Sequence, residues 1–145
     1  MNYDDLSEGD SLPTRTIESI RRDDTKLMAA LLQDPHPPHF DSERCAELDF
    51  PGLLNQGPAN LSYVLQPIYE ALESPADLRS VDVRYQEMVF TEQTVSAEAV
   101  VEEKRIDGGV GVVTFSVELK TAADDVVMAG TVDASVPRVG ETSSE

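Results

Sequence analysis

The sequence predicts an α+β domain. Three observations point there. The first half carries two apolar patterns at helical spacing, the second half alternates apolar and polar residues with a period of two, and the main helix comes before the run of antiparallel strands. With 145 residues, 40% of them hydrophobic, the chain fits a single domain spanning 1–145 with a real core. Residues 1–12 and 138–145 are expected to be flexible tails.

Met1 to Pro13 is polar, a mobile segment or an edge extension, and Thr14 to Ile20 is a short strand candidate. Asp23 or Asp24 is expected to cap a helix whose apolar face is Leu27, Met28, Leu31 and Leu32. Pro35 disfavours helical dihedrals at Asp34, so that helix should end near Gln33. Pro37 and Pro38 keep the next residues extended and stiff. Ser42 to Leu48 predicts a short helix with Ser42 as its cap, and Phe50-Pro51-Gly52 predicts a turn.

The main helix is expected to start at Asn55-Gln56-Gly57-Pro58, because a proline in the first turn lacks only an N–H that would have no helical partner. Leu61, Val64, Leu65, Ile68 and Leu72 mark its apolar stripe. Pro67 inside it costs about 3 kcal/mol or more and predicts a kink or break near Tyr63 to Gln66. After Ser74-Pro75 the period becomes two. Val81, Val83 and Tyr85 alternate with polar neighbours, and Val95 to Ile106 is a further strand. Asp107-Gly108-Gly109 predicts a hairpin. Val113, Phe115, Val117 and Leu119 then share one strand face, as do Val132, Ala134 and Val136 beyond a turn at Ala123-Asp124-Asp125.

The formal net charge is −17, with acids spread along the chain and only three lysines, Lys26, Lys104 and Lys120. Nucleic acid needs a basic face to neutralise phosphates, so it is excluded as a partner. No apolar run approaches membrane-spanning length, and the acidic start is unlike a signal peptide. The single Cys45 cannot form an internal disulfide, which predicts a reducing, cytoplasmic setting. Self-repulsion at this charge is damped by salt, so a salt-adapted, halophilic protein is expected ahead of an ordinary acidic one.

Three features carry candidate chemistry. Asp34 and His39, five residues apart on a proline-stiffened loop, pair a carboxylate with an imidazole for acid–base work near neutral pH. Taken alone, the plainer reading is a local cap and a surface histidine. Gly57 at a helix start exposes its N–H at the positive end of the dipole, where an oxyanion would be held, although taken alone it is a turn glycine. His36 and His39 with Asp34 lack a convincing third ligand, so no metal is expected. Cys45 has acids around it and is read as a core residue, not a nucleophile. Gly108 to Gly111 lies between strands with no helix after it, so it is no phosphate loop.

The combination resembles the MaoC-like dehydratase family, which includes (R)-specific enoyl-CoA hydratases. Its motif is Asp-x-Asn-Pro-x-His, followed eighteen residues later by the glycine of a His-Gly segment. Asp34, Pro37, His39 and Gly57 stand at those positions. Glu8-Gly9-Asp10 and the run from Arg84-Tyr85 to Pro137 are similar to its flanking segments. The resemblance implies a hot-dog fold, an antiparallel β-sheet wrapped around a central α-helix, usually as a homodimer.

It also implies hydration of a 2-enoyl-CoA thioester to a 3-hydroxyacyl-CoA, or the reverse, with no cofactor. Asp34 and His39 would be catalytic, and the Gly57 N–H would hold the thioester oxyanion. His36 replaces the motif asparagine, Gln56 the usual histidine, and Leu65 a helix serine; His36, Gln56 and Ser62 are named as supporting candidates. Arg84, Lys104 and Arg105 are candidate cations for coenzyme A. Rival readings are a catalytically weak acyl-thioester binding module or supporting subunit, and a hot-dog thioesterase.

Overall fold

The structure, a computed structural model, describes residues 1–138. Strands β1 (Arg15–Ile17), β2 (Leu78–Tyr85), β3 (Val95–Asp107), β4 (Val110–Thr121) and β5 (Val126–Val136) form one antiparallel sheet in the order β1-β3-β4-β5-β2. Helices α1 (Arg22–Leu32), α2 (Ser42–Glu47) and α3 (Gly57–Ala71) all precede β2. The α+β expectation therefore holds, with α3 packed on β3, β4 and β1.

The period-two pattern decides which face meets α3. Val113, Phe115, Val117 and Leu119 of β4 are fully buried, as are Val132, Ala134 and Val136 of β5. They join Val64, Leu65 and Ile68 of α3 in one core cluster. β3 adds Val95, Ala97, Ala99 and Val101, whose two alanines leave room for a close helix. Burying each of the larger side chains contributes roughly 1.5–3 kcal/mol. The β3–β4 hairpin closes through Gly108 and Gly109, both at positive φ (59° and 89°), as a tight two-residue turn requires.

Several local expectations are corrected. Arg21, not Asp23 or Asp24, is the N-cap of α1, and the two acids sit in its first turn. Asp41, not Ser42, caps α2, because its carboxylate accepts from the Glu43 and Arg44 N–H groups. Pro67 does not break α3, which runs unbroken from Gly57 to Ala71. Its missing N–H removes one helical bond, while Val64, Leu65 and Ile68 on either side are anchored in the core.

Residues 1–12 are not a free tail. The Tyr3 N–H bonds the Pro137 carbonyl, Gly9 and Leu12 donate to Val101 and Ala99, and Val101 donates back to Asp10, so the segment is an edge extension along β3. Of the expected C-terminal tail, residues 139–145 lie outside the described residues. The largest correction concerns α1. Leu27, Leu31 and Leu32 are 58%, 71% and 46% exposed, while Thr25 and Ala29 turn inward. On the inward side Thr25 meets polar Asn55 and Gln56, so a hydroxyl stands there in place of a leucine.

Candidate active site

The candidate loop begins where α1 ends. Gln33 adopts the left-handed conformation (φ 53°, ψ 38°), and the Asp34 N–H bonds the Ala29 carbonyl at 2.9 Å. Asp34 is thus held at a fixed exit from the helix. Its Oδ1 accepts from the His36 N–H at 3.0 Å. Pro37–His39 forms a single 3-10 turn, closed by the His39 N–H on the His36 carbonyl at 3.1 Å.

Two bonds pin this turn to the segment leading into α3. The Leu54 N–H donates to the Pro38 carbonyl at 2.9 Å, and His39 Nδ1 lies 2.6 Å from the Leu54 carbonyl oxygen. A carbonyl oxygen only accepts, so Nδ1 carries a proton. Nε2 then faces Asp34 Oδ2 at 3.3 Å. In the neutral ring Nε2 is a proton acceptor next to a carboxylate; in the imidazolium it donates to that carboxylate. Both states suit proton transfer. His39 is 8% exposed, whereas Asp34 keeps partial access to solvent. The exposed His36 ring meets His39 edge-on at 5.1 Å. Cys45 is buried, with its thiol donating to the Pro38 carbonyl.

Gly57 is the first residue of α3, three positions after Leu54. Its N–H has no partner within the helix, and Pro58 has none to offer. The Tyr85 hydroxyl donates to the Gly57 carbonyl at 3.1 Å. A Cβ at position 57 would stand 3.2 Å from the Tyr85 ring, closer than an ordinary contact, so a side chain here would have to displace a residue of the far edge strand.

Behind the loop lies a buried polar network that sequence reasoning missed. Thr25 Oγ1 donates to Asn55 Oδ1 (3.0 Å), and Asn55 Nδ2 donates to Asn60 Oδ1 (2.8 Å). Gln56, 1% exposed, donates from Nε2 to the Thr25 carbonyl at 2.9 Å, and its Oε1 has no partner among the described residues. Burial raises the Tyr63 phenol above its ordinary pKa, outweighing a hydrogen bond with Asn55 that lowers it. The network ties α1, which delivers Asp34, to the start of α3, which carries Gly57. One signal was legible: Asn60 precedes Val64 and Ile68 at four-residue steps, a polar residue on a buried stripe.

The other nominated residues are dispersed. The Ser62 hydroxyl donates to the Ala59 carbonyl within its own helix. Arg84 is exposed on β2, beside Tyr85. Lys104 donates to the Leu6 carbonyl and lies over the Tyr3 ring at 4.3 Å. Arg105 bonds Thr114 (2.9 Å) and Asp133 (2.7 Å). Both stand near the hairpin end of β3, nine and ten residues from Val95. At about 3.3 Å per residue they lie roughly 30 Å along the strand from the end next to the site.

A family model described as the MaoC like domain matches residues 7–123. The chain belongs to the MaoC-like dehydratase family. Solved structures of similar fold include the R-hydratase PhaJ1 from Pseudomonas aeruginosa, at TM-score 0.82 and 22% identity, covering 94% of this chain and 86% of that one. The (R)-hydratase from A. caviae involved in PHA biosynthesis follows at TM-score 0.78 and 18% identity, over 92% and 98% of the two chains. The ChsH1-ChsH2 complex from Mycobacterium tuberculosis matches at 0.74 and 16%, over 90% and 98%. No curated protein matches the sequence. The MaoC-like fold here is the hot dog: a five-stranded antiparallel sheet against one long helix. Among the described residues no helix is long and apolar enough to cross a membrane.

Proposed function

We propose that this MaoC-like chain adds water across the double bond of a 2-enoyl-CoA thioester and runs the reverse dehydration of the 3-hydroxyacyl thioester. The observation that carries the reading is the Asp34–His39 pair, 3.3 Å apart, with the far side of the imidazole fixed on Leu54 at the approach to α3. A water held by the pair loses one proton to it as the water oxygen bonds the β-carbon. The double-bond electrons move onto the thioester oxygen, where the Gly57 N–H and the helix dipole stabilise them. Collapse of that enolate takes one proton back from the pair at the α-carbon. The family resemblance implies the (R) product.

The test is hydration of crotonyl-CoA in high potassium chloride, followed by loss of the enoyl absorbance. Asp34→Asn and His39→Ala are each expected to lower kcat by about 10²–10⁴-fold with folding intact. Wild-type protein inactive on short, medium and branched enoyl-CoA would sink the proposal. A second reading, an acyl-thioester binding or supporting subunit, draws on Gln56. Its amide stands where the family has histidine and is committed to the Thr25 carbonyl.

The same proposal takes the enzyme to be cytoplasmic, salt-adapted and homodimeric. The exposed leucines of α1 support the last, as surface that a second copy would cover. The charge of −17 supports salt adaptation, for which the melting temperature should rise with potassium chloride.

A further inference from the structure

Lys26, Ala29 and Ala30 follow one another at i, i+3 and i+4, so they share one face of α1, and Gln33 is its C-cap. With Asp34, Pro35 and Phe40 they line an open groove of about 460 Å³. Its floor is apolar. Its polar groups sit at the ends: Lys26 at one, Gln33 and Asp34 at the other. Lys26 stands six residues before Leu32, where α1 ends, about 9 Å along the helix axis, and Asp34 follows just beyond that end.

Lys26 makes no ion pair among the described residues, in a chain with 28 acidic side chains against 11 lysines and arginines. The other lysines are engaged. Lys120 is held by Glu98 and Glu118, and Lys104 by Leu6 and Tyr3. A field this negative repels an anionic ligand unless a local cation receives it.

We propose that the phosphate-bearing pantetheine arm of the thioester lies along this groove, with Lys26 receiving the phosphate end. The inference rests on the hydratase reading, which puts the thioester at Asp34 and His39. From there the arm is a chain of methylenes and two amides ending in phosphate. The small Ala29 and Ala30 leave room for the methylenes, the Gln33 amide can pair with an amide of the arm, and Lys26 offsets the phosphate charge. Lys104 and Arg105, roughly 30 Å along β3, are then not the coenzyme A cations.

The test compares crotonyl thioesters of coenzyme A, 4′-phosphopantetheine and pantetheine on wild type, Lys26→Gln, Lys26→Glu and Lys26→Arg. Lysine, glutamine, glutamate and arginine have similar helix propensity, so α1 should survive, and a thermal melt checks it. Lys26→Gln is expected to raise KM roughly threefold to fivefold for the two phosphate-bearing thioesters. Lys26→Glu should raise it further and Lys26→Arg should restore it. The pantetheine thioester and every kcat should not move, and the KM gap should narrow as potassium chloride is added. An equal KM rise on all three thioesters, or none on any, overturns the proposal. If wild type turns over no thioester, calorimetric titration with free coenzyme A and free pantetheine decides the groove separately. Coenzyme A binding that Lys26→Glu abolishes supports the groove while the hydratase reading fails; binding that is absent, or indifferent to the substitution, overturns the groove.

Discussion

His39 and Leu54 are joined by the shortest bond of the candidate loop, 2.6 Å from the ring Nδ1 to the backbone carbonyl oxygen. That one bond sets the tautomer of the imidazole, aims Nε2 at Asp34 and ties the loop to the approach of α3. Residues fifteen positions apart are thereby brought into contact.

An asparagine at position 39 separates anchoring from chemistry. Its side-chain amide can donate to the Leu54 carbonyl as Nδ1 does but cannot exchange a proton near neutral pH. His39→Asn is expected to keep the melting temperature near that of wild type. Its kcat should fall by about 10²–10⁴-fold. Parallel melts and initial rates check this, and a stable, fully active variant counts against the imidazole as acid–base group.

Gly57 and Tyr85 should be coupled. In Gly57→Ala the new methyl meets the Tyr85 ring at 3.2 Å, so either the ring or the first turn of α3 must shift. Activity is expected to drop, and shortening the ring in Gly57→Ala/Tyr85→Leu should recover part of it. A double-mutant cycle on kcat/KM should show a coupling of roughly 0.5–3 kcal/mol. Strict additivity would mean that the tyrosine does not determine what position 57 tolerates.

Asn55 links two buried groups, the Thr25 hydroxyl and the Asn60 amide oxygen. Asn55→Ala leaves both without this partner. The expected loss of stability is about 2–4 kcal/mol, read from urea unfolding. A loss under 0.5 kcal/mol would show that water replaces the amide at no cost.

On the outer face of the sheet, Asp133 has a lowered pKa. Burial alone would raise it, but the Thr114 hydroxyl and the Arg105 guanidinium outweigh that. A carboxylate held lower in the folded state stabilises the fold above its unfolded pKa, about 4, and loses that contribution as pH falls through the folded value. Wild type should therefore be more stable than Asp133→Asn at pH 7, and the gap should close at acid pH. Chemical denaturation at several pH values between 7 and 3 measures it; a gap independent of pH would contradict the linkage.

Much of this was legible locally. The alternation of Val113, Phe115, Val117 and Leu119 places a strand with one buried face whatever its neighbours are, because side chains alternate every residue. Asp34 and His39 are close in sequence, and the prolines between them limit where they can go. The α1 leucines were misplaced for the converse reason. Helical spacing shows that they share a face but not what that face meets, and here it meets solvent in the single chain. The contacts of Tyr85 and Thr25 had no local signal because each acts on a residue 28 to 31 positions away.

By itself the sequence determined the α+β class, the strand faces, the tight glycine hairpin and the Asp34–His39 loop. Each depends on dihedral preferences and periodicities that operate within a few residues. Only the tertiary structure decided that His39 leans on Leu54, that the Tyr85 ring crowds Gly57, that Asn55 bridges two helices, and that Lys104 and Arg105 stand at the far end of β3. Those relations depend on which surfaces the hydrophobic core brings together. Burial is indifferent to direction along the chain, so residues distant in sequence become neighbours without any local signal.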